Sequence, residues 1–189
     1  MPETPAKPEE VTLRNGTVVT IRPIRPDDAP RLQALFYRLS PESIALRFLG
    51  HLKELPLEQA QQLATVDYRT RMALVATRQQ NGEEDIIAVA RYAADSAKPD
   101  LAEAAIVVED EYQKRGLGTL LLTRLVAYAR THGIRAFMAT VHHDNVQIMR
   151  FIRQSGLPTE SKLEAGIWQI VVKLVVSEAE LLEPDWSPV

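Results

Sequence analysis

Two glycines stand two residues apart in the segment QKRGLG, residues 113–118, between a valine-rich run and a strongly apolar one. If a helix begins here, its first turn has unpaired backbone N–H groups and the positive end of the helix dipole, which together bind phosphate. The glycines let a ligand approach the backbone closely, and Lys114 and Arg115 add positive charge. A pyrophosphate suits this chemistry, but so does a plain turn from a strand to a helix.

Two common nucleotide-binding motifs do not fit the segment. A G-x-G-x-x-G fingerprint needs a third glycine where this sequence has Leu121, and the P-loop pattern G-x-x-x-x-G-K-[ST] is absent. The meaning of the two glycines therefore depends on the elements that position them.

Strands and helices are predicted to alternate along the chain. β-branched and apolar runs predict strands at residues 17–24, 72–79, 85–95, 101–110, 134–143 and 167–176. Helical spacing and end signals predict helices after Asp27 and Asp28, from Pro41 to Phe48, from Pro56, from Leu117 to Gly133, and from Asn145 to Gln154. Asn81-Gly82 predicts a hairpin. This order predicts an α/β or α+β fold around a mixed sheet.

Composition bounds the class of protein. The 189 residues fit one domain at 11–176, with proline-containing or acidic segments at 1–10 and 177–189 expected to be flexible tails. The net charge of −3 gives no reason to expect nucleic-acid binding. The absence of cysteine excludes disulfides, thiol nucleophiles and thiolate metal sites. With neither a signal peptide nor a membrane-spanning run, we expect a cytoplasmic protein without membrane contact.

Three segments carry a resemblance to a known family. Q-x-x-G-x-G at 113–118, placed between the AEAAIVV strand and an apolar helix, resembles the acetyl-CoA-binding motif of the GNAT N-acetyltransferase superfamily. Residues 145–157 look like that family's N-x₁₀-G-[FL] helix. Residues 13–50, with L-R-N-G, R-P-I-R and L-S-P-E-S followed by R-F, resemble the opening of the bacterial protein lysine acetyltransferase branch. The resemblance covers residues 11–176.

The resemblance implies a fold and an activity. The expected fold is a mixed sheet of about six to seven strands with helices on both faces and a splay between the fourth and fifth strands. The expected reaction transfers acetyl from acetyl-CoA, without a metal, to a protein lysine by direct attack in a ternary complex. Relatives in this branch act on acyl-CoA synthetases, so such an enzyme is the expected partner of this chain.

Site roles follow by position in the family pattern. Glu103, in the A-E-x-A position of its strand, is the expected general base, and its small, apolar neighbours suit a carboxylate acting near neutral pH. Backbone groups of Val107 and Val108 are expected to hold the pantetheine arm and polarise the thioester. The expected pyrophosphate and cofactor contacts are Gln113, Lys114, Arg115, Gly116, Gly118, Thr119 and Asn145. Asn145 also suits a helix N-cap, and Arg47 and Phe48 are expected near the acceptor.

Some features are left open or assigned no role. Ile152 occupies the position where many GNAT enzymes have a tyrosine as general acid, so no general acid is assigned. His142 and His143 should point to opposite faces of a strand, so no metal site is expected with Asp144. The acceptor could instead be a small amine, or the chain could be a catalytically silent acyl-CoA sensor. A monomer and a homodimer built on the last strand both suit the sequence.

Overall fold

A mixed sheet of eight strands runs through the computed structural model, which describes residues 7–50 and 52–175. The strands are β1 (Glu9–Thr12), β2 (Val18–Pro23), β3 (Arg71–Gln80), β4 (Glu83–Ala94), β5 (Leu101–Val108), β6 (Ala136–His142), β7 (Thr159–Glu164) and β8 (Ile167–Lys173). Their order across the sheet is β1-β2-β3-β4-β5-β6-β8-β7, and every neighbouring pair is antiparallel except β5 and β6. The mixed sheet expected from the sequence is confirmed.

Helices cover both faces of the sheet, as expected. They are α1 (Ala29–Arg38), α2 (Pro41–Phe48), α3 (Leu57–Ala64), α4 (Leu117–Thr131) and α5 (Val146–Ser155). Apolar residues of α1 to α3 pack on one face, and those of α4 and α5 pack on the other. No helix in the described part of the chain is long and apolar enough to cross a membrane.

The two outer strands, β1 and β7, were not expected, so the sheet has eight strands instead of six or seven. β1 begins at Glu9, inside the segment expected to be a tail, because it pairs with β2 and because Glu9 forms an ion pair with Arg124 of α4. β7 is exposed along its whole length, and β1 nearly so, and such polar strands lack the apolar alternation by which strands are recognised. Residues 1–6 and the expected tail at 177–189 lie outside the described residues.

The expected splay lies between β5 and β6, the fourth and fifth strands of the sequence prediction. β5 pairs with β4 from Ala102 to Val108, but it pairs with β6 only through Leu101, Ala102 and Glu103. Beyond Glu103 the two strands separate, so one edge of β5 is left open.

The last strand of the chain is not an edge of the sheet. β8 lies between β6 and β7, so its edges are already paired, and a homodimer remains an expectation that rests on other surfaces. β7 and β1 are the two edges that another chain could reach.

Candidate active site

A cavity of about 290 Å³ opens where β5 and β6 separate. Its walls come from the end of α2, from β5 and β6, and from α4 and α5, and most of its lining side chains are apolar. The charged side chains on its wall are Arg47 and Glu103, and Thr140, Asn145 and Ser155 add neutral polar groups. The cavity therefore combines an apolar channel with one carboxylate and one guanidinium.

Glu103 lies at the point where the strands part. It is the last residue of β5 that pairs with β6, opposite Met138, and its side chain lines the cavity. The residue is exposed, so its neighbours do not enclose the carboxylate in the way its small and apolar flanks suggest.

Two other acidic residues near the end of β5 are held in structural contacts. Glu109 forms an ion pair with Arg38 at 3.1 Å. Asp110 accepts hydrogen bonds from the backbone N–H and hydroxyl of Ser40 and from the hydroxyl of Ser43. Burial alone would raise the pKa of Asp110, but these hydrogen bonds outweigh it and the pKa is lowered. Among these three acids, Glu103 alone lines the cavity.

The open edge of β5 presents the backbone groups of alternate residues. Glu109 donates its N–H to Ile87 of β4, and Asp95 donates to the carbonyl of Leu101, so the odd-numbered residues of β5 bond to β4. The backbone of Val107 is therefore directed toward β4, which corrects its expected contact with the pantetheine arm. Ile106 and Val108 are directed into the splay instead. Ile106 was missed, although counting in twos back from Val108 would have found it.

The loop before α4 has the backbone geometry of an anion site. Gly116 has φ +86° and Lys114 has φ +61°, both left-handed, and α4 begins directly afterwards at Leu117. Leu120 makes the first N–H bond along the helix, to the carbonyl of Gly116 at 3.0 Å. The N–H groups of Leu117, Gly118 and Thr119 are thus the free donors of the first turn.

The packing around Gly118 leaves room for a side chain. A Cβ built there would lie 3.6 Å from atoms of Ile106 and Val108, an ordinary contact distance, and its φ is not left-handed. Packing therefore does not require glycine at this position, whereas close approach of a pyrophosphate to the helix backbone would. The loop and the splay together fit the phosphate and pantetheine parts of acetyl-CoA.

Gln113 connects the loop to α2 and β5 through hydrogen bonds. Its Nε2 donates to the hydroxyl of Ser43 at 2.9 Å and to the carbonyl of Val108 at 3.0 Å. Lys114 and Thr119 are exposed beside the loop and Arg115 is half-buried. Gln113 thus joins α2, β5 and the loop, while the Arg115 guanidinium lies 5.6 Å from the centre of the Tyr112 ring.

Asn145 and Ile152 both reach the cavity from α5. Asn145 caps this helix by accepting the N–H of Ile148 at 3.3 Å, as its residue type suggests, and its side chain also lines the cavity. Ile152 lines the cavity too, so an apolar side chain stands at the usual tyrosine position.

His142, His143 and Asp144 lie close together, and the expectation that the histidines point apart is wrong. β6 ends at His142, so the alternation stops there, and the two rings lie 4.5 Å apart. One potential ligand atom from each of the three residues falls within 4.8 Å of the others. His143 also makes a contact of 2.9 Å from Nδ1 to the carbonyl oxygen of Gly166.

The guanidinium of Arg47 is the positive charge that interacts with Glu103. Arg47 lines the main cavity, and with Arg91 and Val107 it also lines a small adjoining cavity of about 40 Å³. The pKa of Arg47 is lowered to about 10, first by burial and then by the charge of Arg91, while Glu103 acts in the opposite direction. Arg47 remains protonated at neutral pH, and its charge is felt at both neighbours.

Comparisons with known proteins agree with this geometry. The sequence model of the acetyltransferase (GNAT) family matches residues 42–157. Acetyltransferase PA5475 of Pseudomonas aeruginosa is 37% identical over 124 residues, 66% of this chain and 66% of that protein. Acetyltransferase Pat of Mycolicibacterium smegmatis is 30% identical over 149 residues, 79% of this chain and 44% of that protein. The crystal structure of the GNAT domain of S. lividans PAT has a TM-score of 0.78 at 30% identity, covering 90% of this chain and 99% of that one.

The alignments thus span about two thirds of one relative and less than half of the other. The family model matches more than half of this chain, and its match includes Glu103, the loop before α4 and Asn145. GNAT enzymes use acetyl-CoA as cosubstrate. The chain belongs to the GNAT acetyltransferase family.

Proposed function

We propose that this chain transfers the acetyl group of acetyl-CoA to a lysine side chain of a protein, by direct attack of the lysine amine in a ternary complex. An acyl-CoA synthetase is the first acceptor to test. The observation that carries the proposal is the position of Glu103, whose carboxylate lines the cavity where β5 and β6 separate. Similarity to PA5475 and Pat, both named acetyltransferases, supports it.

Glu103 would act as the general base. A lysine ammonium has an ordinary pKa of about 10.4, so at pH 7 well under about one in a thousand is neutral and able to attack. A carboxylate at the open end of the cavity, reached directly or through one water, removes that proton as the nitrogen attacks. Such a base contributes on the order of 10²–10⁴-fold to the rate.

Other residues of the chain would hold the cosubstrate, which supplies an activated thioester. The N–H groups of Gly118 and Thr119, with Arg115, Gly116 and Lys114 beside them, would bind the pyrophosphate. The Val108 N–H would polarise the thioester carbonyl, and Asn145 would bind farther along the cavity. No general acid is assigned, because Ile152 is apolar and a thiol with a pKa of about 8.5 leaves readily.

The test compares the natural protein with Glu103→Gln, a variant that keeps the size and hydrogen-bonding capacity of the side chain. Each is mixed with acetyl-CoA, a cytosolic protein extract and added acyl-CoA synthetase, and lysine acetylation is followed by peptide mass spectrometry. We expect site-selective acetylation that falls by about 10²-fold or more in the variant, with unchanged acetyl-CoA affinity by calorimetry.

The outcomes separate the possible functions. Selective acetylation that survives in Glu103→Gln would keep the enzyme and remove Glu103 from the mechanism. Tight acetyl-CoA binding without acetylation of any protein would favour a small-amine acceptor, or a silent acyl-CoA sensor if small amines are not acetylated either.

A further inference from the structure

Two arginines near the site form no hydrogen bond or ion pair among the described residues. Neither the Arg47 nor the Arg91 guanidinium donates a hydrogen bond to, or forms an ion pair with, any other residue in the described ranges 7–50 and 52–175. Both are half-buried, and both line the small cavity beside Val107. Desolvation is the largest cause of the lowered pKa of each. A guanidinium taken partly out of water without a hydrogen-bond acceptor is costly, so an external anion would stabilise it.

The strand register places these charges on the face of the sheet that carries Glu103. Arg91 of β4 is opposite Ala105 of β5, and Ala93, two residues on, is opposite Glu103. Residues directly opposite each other share a face, so the side chains of Arg91 and Glu103 project to the same side. Arg71 of β3, opposite Ala93, adds a third positive charge on this face. Arg47 approaches from α2, with its guanidinium 4.7 Å from the centre of the Phe48 ring.

The excess of positive charge near Glu103 disfavours an acceptor that brings only a cationic amine. Three arginines share this side of the sheet with one carboxylate. Burial is the main cause of the lowered pKa values of Arg47 and Arg91, and the charge of Arg91 beside Arg47 and of Arg71 beside Arg91 lowers them further. A lysine ammonium that enters alone meets this net positive field and is repelled. An acceptor that brings an anionic group with its amine supplies the missing partner and cancels the repulsion.

We propose that Arg47 and Arg91 form an anion-binding recess beside Glu103, and that the acceptor presents a carboxylate next to the amine that is acetylated. This inference rests on the proposed acetyl transfer. For a protein acceptor, the carboxylate is an aspartate or glutamate side chain that flanks the target lysine. The carboxylate receives hydrogen bonds from the arginines while Glu103 receives the proton of the amine. The recess thereby favours a lysine that is flanked by an acidic residue and lowers the rate of acetylation of lysines without one.

The experiment measures kcat/KM for a matched pair of peptides, one with a single lysine between two aspartates and the other with the same lysine between two asparagines. We expect the acidic peptide to be preferred by about tenfold to a hundredfold, as charge-assisted hydrogen bonds to one carboxylate imply. The preference should fall toward one in the double variant Arg47→Gln/Arg91→Gln. Arg91→Lys keeps the positive charge but loses the planar guanidinium, so this variant should retain part of the preference for the acidic peptide.

Arg135→Gln is the control for each arginine-to-glutamine change, since Arg135 is exposed and lines neither cavity; it removes one positive charge where the double variant removes two. Its preference should equal that of the natural protein. Equal rates for the two peptides, or a preference that persists in the double variant, would overturn the recess while leaving acetyl transfer intact.

A second pair, free L-lysine and L-lysinamide, distinguishes the source of the carboxylate. Preference for lysine over its amide, without any peptide acetylation, would keep the recess but replace the protein acceptor by a small amino acid. If no acceptor is acetylated, the proposed function fails, and the recess is tested by calorimetric binding of the two peptides to the complex with coenzyme A. Equal affinities there would reject the recess as well.

Discussion

Gly116 and Gly118 stand two residues apart but are glycines for different reasons. Gly116 is in the left-handed region, where a side chain is strained. Gly118 has ordinary helical geometry and room for a methyl group. The backbone conformation therefore accounts for the first glycine, whereas the packing of the described residues does not require the second.

Gly118→Ala separates folding from ligand binding. The fold should keep its free energy of unfolding or gain up to about 1 kcal/mol, because alanine is the better helix former. Acetyl-CoA should bind at least about tenfold more weakly if the pyrophosphate approaches the backbone of the first turn as closely as a glycine allows. Urea unfolding and calorimetry measure the two quantities. Gly116→Ala is the contrasting variant and should lose stability through strain, and unchanged acetyl-CoA affinity in Gly118→Ala would remove this residue from the cradle.

Helix α5 is capped by Asn145, the residue that precedes it. None of the residues of α5 is fully buried, and the Asn145 side chain lines the cavity as well as capping the helix. Substitutions can separate the capping of the helix from the proposed contact with the cosubstrate.

Asn145→Ser should preserve the cap, since serine and asparagine are comparable N-cap residues, whereas Asn145→Ala should cost about 1 kcal/mol of stability. Both variants should bind acetyl-CoA more weakly if the amide contacts the cosubstrate, because neither side chain replaces the amide. Thermal unfolding and calorimetry on the two proteins provide the comparison. Natural affinity in the serine variant would assign Asn145 to capping alone.

The sequence predicted elements well where apolar periodicity or a helix end signal was present. The five helices and the six inner strands were found in this way, as was the splay through the family pattern. The polar edge strands β1 and β7 were missed, since an exposed strand places no apolar residue at every second position. Within the site, Glu103 was located at the cavity and the glycine loop at the start of α4. Ile106 follows from Val108 by simple alternation, whereas the position of Arg91 opposite Ala105 depends on the strand register, which the sequence does not reveal.

A buried charge cluster lies away from the site, among β2, β4 and the start of α1. Arg22 of β2 donates to both oxygens of Asp28 at 2.7 and 2.8 Å and also pairs with Glu84 of β4. Burial alone would raise the pKa of Asp28, but hydrogen bonds from Arg22 and from the Arg25 N–H outweigh it, and the pKa is lowered. The cluster connects β2, β4 and the segment that leads into α1.

Asp28→Asn should lower the free energy of unfolding by up to about 3–5 kcal/mol at pH 7, because the buried Arg22 guanidinium then keeps only the partly exposed Glu84 as its countercharge. The folded state has the lower pKa, so this stabilisation is present above the unfolded value of about 3.9 and is lost as pH falls through the folded value. Urea unfolding at pH 7, 5 and 3 should therefore show the two proteins converging in acid. Asp27→Asn, at an exposed neighbouring residue, should change stability by less than about 0.5 kcal/mol. A constant difference at every pH would contradict the assigned role of the carboxylate.

The short junction between β5 and β6 has a consequence for how the protein resists unfolding. Three residue pairs join a five-stranded part of the sheet, β1 to β5, to a three-stranded part, β6 to β8. A cosubstrate arm lying in the gap would act as a clamp between the two parts. A ligand at about a hundredfold its Kd adds about 2.7 kcal/mol to the stability of the form that binds it. Acetyl-CoA would then raise the free energy of unfolding as well as supply the acetyl group, so that the stability of the folded protein would follow the concentration of its cosubstrate.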